Sequence, residues 1–291
     1  MIVADPNEPA APSGGGRFAE WTMLALHCVR IKFGKSYRET VDLLSEMPGI
    51  LAELGLRYPP HFTTLCDWFK QLPMSHWRTL LALTGQQGSY DGAIDATGFS
   101  RGKISQHYAQ RSGYKRSALK VTALVDIDSL LITDVHCTTS GKDDNPIGRQ
   151  VARRNAGDLQ RLLGDKGYDS MPFRTELNAA GIEPVIKYRE FTDHDRAHND
   201  RLKDAGYGQR WMAETAFSAI KRTISTSVSA RSWFLQFREI ILIAVVYNIL
   251  RRLRQCIPVQ SIDPTGQRIA AVTALERIAR FSTNVQYAQS V

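Results

Sequence analysis

Residues 120–128 read KVTALVDID, with Val121, Ala123, Val125 and Ile127 at every second position. That period belongs to a β-strand with one face in a core, and no helix fits it. A lone strand is not stable, so partners are needed. Asp128-Ser129 reads as a turn and residues 131–137 as the returning strand, while residues 93–95 sit in a short strand upstream. Three sequential strands predict an antiparallel meander. The pattern then changes. Asn145-Pro146 opens a basic helix running through Arg154, and residues 159–163 form an apolar strand ending at Asp165. Residues 172–180 form a helix that Gly181 stops, and residues 184–187 form another strand. The order β-β-β-α-β-α-β-α predicts an α/β domain, a mixed β-sheet flanked by helices. Residues 190–206 are expected to be a polar loop.

The chain has 291 residues, 43% of them hydrophobic, enough for one large domain and a smaller one. Residues 17–86 read as short helices, with capping-box patterns at Ser36–Glu39 and Thr64–Asp67 and a break at Pro59-Pro60. They fit an N-terminal all-helical domain. It is either a helix-turn-helix whose DNA-facing helix spans residues 64–72, or a plain supporting bundle. Residues 1–16, rich in Pro, Ala and Gly, read as a disordered lead-in. Residues 257–291 form a polar tail with a helical stretch near 270–281 and no evident role. Residues 240–250, IILIAVVYNIL, read as a buried helix too short for a bilayer, which needs about 20 residues. No membrane association is expected. Cys28, Cys66, Cys137 and Cys256 show no CxxC spacing, which argues against a zinc site and for free thiols in a reducing cytosol. The N-terminus lacks a signal-peptide pattern. A cytoplasmic protein is expected.

The formal charge of +8, from 37 basic and 29 acidic residues, points to a polyanion, nucleic acid first. From Ala96 to Val125 there is no acid, while Arg101, Lys103, Arg111, Lys115, Arg116 and Lys120 occur with His107, Tyr108 and Tyr114 among them. This is either a nucleic-acid track or a solvated basic face. Residues 206–223, GYGQRWMAETAFSAIKRT, read as a largely apolar helix. At 100° per residue Tyr207, Arg210, Glu214 and Lys221 share an arc of about 60°. The plain alternative is a packed Tyr207 beside a surface Arg210–Glu214 pair.

Asp95, Asp165 and Glu214 lie on a strand, past a strand end and on this helix, and could meet at one sheet edge. Converging carboxylates repel, and divalent magnesium or manganese would relieve that repulsion. Two ions about 4 Å apart would grip the attacking and leaving oxygens of a phosphodiester. Asp91 competes with Asp95 on the same strand face. Asp169 is expected to cap the helix before Pro172, Asp126 and Asp128 to serve the hairpin, and His194 and His198 to lie in the loop. Trp233, Phe234 and Phe237 are expected in the core.

Tyr207-x2-Arg210-x3-Glu214-x6-Lys221 resembles the YREK signature of insertion-sequence transposases, the DDE transposases of the insertion-sequence-four/five superfamily. DKGYD at residues 165–169 and AIDATGFS at residues 93–100 resemble the segments that carry that family's other acids. The resemblance spans roughly residues 85–254. It implies an RNase H-like catalytic domain, here residues 87–256, and a DNA-binding role for residues 17–86. Asp95, Asp165 and Glu214 would hold two magnesium or manganese ions. Tyr207, Arg210 and Lys221 would contact phosphates, with Arg222, Lys166 and the basic run as further DNA contacts. The implied activity is cleavage at terminal inverted repeats and strand transfer into target DNA by a homodimer, in the cytoplasm at the nucleoid. A nuclease or resolvase without strand transfer, and a domesticated DNA-binding relative, are the alternatives. Larger family members carry a β insertion where residues 190–206 leave room for a loop.

Overall fold

A computed structural model describes residues 8–11, 17–102, 118–139 and 141–256. Lys103, Arg111, Lys115, Arg116, His107, Tyr108 and Tyr114 lie outside the described residues. So do the tail from residue 257, including the helix read near 270–281, and most of the lead-in. Within that lead-in, Ala10 is buried and its carbonyl accepts the Ala19 N–H.

The N-terminal helices are α1 (Glu20–Phe33), α2 (Tyr37–Ser45), α3 (Pro48–Glu53), α4 (Phe62–Gln71) and α5 (Met74–Thr84). α1 ends where Gly34 takes a left-handed φ of 62°, open to a residue without Cβ. The Ser36–Glu39 capping box forms as read. The Thr64–Asp67 box does not. The His61 ring accepts the Thr63 N–H and starts α4 earlier, so Thr64 already lies inside the helix.

The sheet runs β3-β2-β1-β4-β5, from β1 (Tyr90–Arg101), β2 (Leu119–Asp126), β3 (Ile132–Thr139), β4 (Leu159–Gly164) and β5 (Glu183–Ile186). The first three strands pair antiparallel, as their alternation required. β4 joins β1, and β5 joins β4, in parallel. β6 (Ser227–Val228) extends β1 at Ser100 and Arg101. Helices α6 (Asp144–Arg154) and α7 (Met171–Ala179) cover one face, over Ile94, Leu124, Leu162 and Ile186. Helices α9 (Trp211–Thr223) and α10 (Trp233–Cys256) cover the other, over Ala93, Val121, Ala123, Val125 and Leu163. This is the expected RNase H-like mixed sheet between helices.

α10 is longer than the apolar run suggested. At 24 residues it is long and apolar enough to cross a membrane, so the length argument made from residues 240–250 does not hold. Its place is decided by packing: Ile240 through Tyr247 are all buried against the sheet and the N-terminal helices. Asn248, fully buried, binds β3 as a strand would. Its side chain accepts the Ile132 N–H and donates to the Ile132 carbonyl, both at 2.8 Å. Asn248→Ala orphans both groups and is expected to cost about 2 kcal/mol in urea unfolding.

The expected loop at residues 190–206 is instead mostly helix α8 (Asp193–Asp204). Thr192 and Asp195 form a capping box, yet only Asn199 and Leu202 are buried, so no apolar stripe betrays the helix. The single helix expected from residue 206 is also two pieces, a 3-10 turn (Tyr207–Arg210) and then α9.

Candidate active site

β1 and β4 stay paired through Ala93 and Leu163, and Asp95 and Asp165 each lie two residues further on. Side chains repeat every second residue along a strand, so both acids leave the sheet on the Ala93–Leu163 face, under α9. Asp165 ends the strand by capping the next turn, accepting the Gly167 N–H at 2.8 Å. α9 lays Ala213, Ala216, Phe217 and Ile220 into the core. This carries Lys221 to the Thr97 hydroxyl at 2.6 Å, on the strand face that holds Asp95. The Lys221 ammonium also lies 5.6 Å from the Phe99 ring centre.

Burial holds the Asp95 carboxyl above the ordinary carboxylate range. The Ala96 N–H and the Arg210 charge pull it down, while the Glu214 and Asp165 charges push it up. The same groups act on Tyr207, whose phenol is raised by burial first and by the Asp165 and Glu214 charges, against Arg210. Arg210 is raised as well: its own desolvation works the other way, but the Glu214 hydrogen bond and the nearby Tyr207 and Asp95 outweigh it. Asp95, Asp165, Tyr207, Arg210 and Glu214 thus lie near enough to act on one another's charge.

They do not gather into one coordination shell. Among the described residues no three His, Cys, Asp or Glu side chains are grouped to hold a metal ion. Glu214 is half-exposed and turned to Arg210 at 2.5 Å, the ion pair of the plain alternative. Hard carboxylate oxygens at Asp95 and Asp165 suit magnesium or manganese.

The competing acids are engaged elsewhere. Asp91 pairs with Arg161 at 3.3 Å. Asp126 accepts the Asp128 and Ser129 N–H groups of the hairpin, as read. Asp169 is not the cap of α7, since Ser170 accepts the Phe173 N–H there. Asp169 instead binds Arg174 at 3.0 Å and accepts the Arg189 N–H at 3.0 Å. His194 and His198 lie on α8, and His198 stacks on Tyr188 at 3.7 Å. Trp233 and Phe237 are partly buried, but Phe234 is 72% exposed, contrary to its core assignment. Of the other proposed DNA contacts, Lys166 and Arg222 are exposed, whereas Lys120 is tied to Asp144 at 2.8 Å.

A cleft of about 770 Å³ opens beside Asp165, lined by Tyr207 and Arg210 together with Lys187 and Arg189. Sequence reading passed over these last two. Their one local signal was the basic pair flanking Tyr188 just past a strand.

Residues 86–249 match the family model described as "Transposase DDE domain". No curated protein sequence matches the chain. Among solved structures, the fold is similar to a piggyBac transposase synaptic complex with hairpin DNA. That match has TM-score 0.50 and 10% identity, over 94% of this chain and 78% of that one. A weaker match, TM-score 0.30 and 13% identity over 73% of this chain and 70% of that one, is to a simian T-cell lymphotropic virus intasome in complex with PP2A regulatory subunit B56 gamma.

Proposed function

The chain belongs to the transposase DDE domain family, and on that premise we propose that it cuts and joins DNA at the ends of its own insertion sequence, of the four/five superfamily. The reading is that it binds terminal inverted repeats as a homodimer, hydrolyses the phosphodiester at each 3′ end and transfers the freed hydroxyl to target DNA, at the nucleoid. The observation that carries this reading is the level placement of Asp95 and Asp165 where β1 and β4 part, with Arg210, Glu214 and Lys221 ranged about them.

Asp95, Asp165 and a rotated Glu214 would hold the divalent ions, two in this reading. Magnesium or manganese there supplies Lewis-acid activation of the attacking oxygen and neutralises the charge on the leaving one. The protein's own part is positioning. Lys221, held by Thr97, and Arg210 present fixed cations to a phosphate, with the Tyr207 hydroxyl beside them. Each step forms one P–O bond, to water or to the 3′-hydroxyl, and breaks the P–O bond opposite it. No covalent bond to the protein is needed. A phosphate reaching Arg210 competes with Glu214 for the same guanidinium. DNA entry would therefore release the third carboxylate from Arg210.

The test is a labelled duplex carrying the element's end, incubated with Mg²⁺ or Mn²⁺ and a supercoiled plasmid. Nicking that exposes a 3′-hydroxyl, followed by joining to plasmid, supports the reading; nicking without joining leaves a nuclease. Binding without any cleavage in either metal leaves a DNA-binding relative. Lys221→Ala is expected to reduce the magnitude of the salt dependence of binding by about 0.9, one phosphate contact. An unaltered slope and cleavage rate would remove Lys221 from the phosphate site.

A further inference from the structure

Beside Tyr207 and Arg210 the cleft is lined by a second segment, Lys187, Tyr188, Arg189, Glu190 and Phe191, just past the end of β5. The Lys187 ammonium lies 4.8 Å from the Tyr207 ring centre. Arg161, Arg174 and Arg210 each meet a carboxylate, whereas Lys187 and Arg189 form no ion pair among the described residues. The one acid of this segment, Glu190, is engaged by the Asn199 amide at 3.0 Å.

The segment is also fixed more firmly than a solvated loop needs. Tyr188 lies between the Arg174 guanidinium, 4.1 Å from its ring, and the stacked His198. Asn199 binds both the N–H and the carbonyl of Tyr188. Arg174, almost fully buried, is locked to Asp169 and to the Ile186 carbonyl. The second oxygen of Asp169 takes the Arg189 N–H, and the Arg189 Nε donates to the Lys166 carbonyl at 3.3 Å. A largely buried arginine and its aspartate thus hold the backbone that carries the two cations, beside the turn that begins at Asp165. Fixing cations in advance spares the ordering entropy that a flexible lysine or arginine loses on binding.

We propose that Lys187 and Arg189 form a second phosphate-binding wall of the cleft, gripping the DNA backbone next to Tyr207 and Arg210, with Asp169 and Arg174 setting its position. This rests on the reading of the chain as a DNA-processing enzyme. The walls divide the work: α9 and its leading turn hold the reacting linkage, and the end of β5 holds neighbouring phosphates so that the strand runs past Asp165.

The experiment measures binding of the full chain to a short fluorescent mixed-sequence duplex across a salt series. It compares the parent with Lys187→Gln, Arg189→Gln and the double variant, and thermal melts verify the fold. Removing two phosphate contacts should lower the magnitude of the log affinity versus log salt slope by about 1.8, and each single change by about half of that. Arg189→Lys should keep most of the slope. Folded single variants with the parent's slope overturn the second wall while leaving the wider function standing. A parent that binds no duplex at any salt overturns both.

Discussion

An Asp95→Asn variant is expected to lose strand cleavage by roughly three orders of magnitude or more, yet to melt above the parent at neutral pH. The first effect follows from the position: Asp95 is one of two carboxylates at the parting of β1 and β4, and a site of this kind supplies several kcal/mol at the transition state. DNA binding should persist, since the proposed phosphate contacts lie on other residues. The second effect follows from burial. The folded chain holds Asp95's proton more tightly than the unfolded chain does, where the ordinary value of 3.8 applies. Its titration therefore favours the fold below pH 3.8, and that gain is lost as pH rises through the raised folded value. At neutral pH the charge opposes folding, and the amide lacks it. The melting advantage of the variant should shrink as the solution is acidified toward pH 3.8. Nicking assays and melts of the same samples test both halves. Cleavage at the parent's rate would remove Asp95 from the chemistry, and an unchanged or lower melt at neutral pH would contradict the burial account.

Asp134→Ala is expected to destabilise the whole protein by about 3 kcal/mol, the lower end of what a broken buried ion pair costs. Asp134 is 5% exposed. It takes Arg78 of α5 at 3.1 Å on one oxygen, and Arg154 of α6 at 2.7 Å with Asn155 at 3.0 Å on the other. The helical N-terminal segment and a sheet-covering helix thus meet on one carboxylate of β3. Both arginines keep some solvent, which softens the loss. A melting temperature lower by about 6–12 °C is the scale to look for. A change within a degree or two would show that the cluster is dispensable.

Asp134 also shows what could not be read in advance. Its partners lie 56 and 20 residues away, and no local pattern singles it out among the acids. Asp91 is similar: its carboxylate is met by Arg161, 70 residues on. The strands were legible because burial of a sheet face imposes a period of two on Val121, Ala123 and Val125, whatever their partners are. The buried run of α10 was legible because it is apolar all round. α8 was not, since a helix that buries only Asn199 and Leu202 leaves no stripe to detect.

The amino-acid order by itself determined the strands and helices of the domain apart from α8 and β6, and placed Asp95, Asp165, Arg210, Glu214 and Lys221 in segments able to meet. Those are consequences of local burial and spacing. Only the tertiary structure decided that Ala93 pairs with Leu163 and so levels the two aspartates, that Glu214 faces Arg210, and that Lys187 and Arg189 line the same cleft as Tyr207 and Arg210. Strand register and side-chain pairing are set by the sum of contacts from distant parts of the chain, and no short window contains that sum.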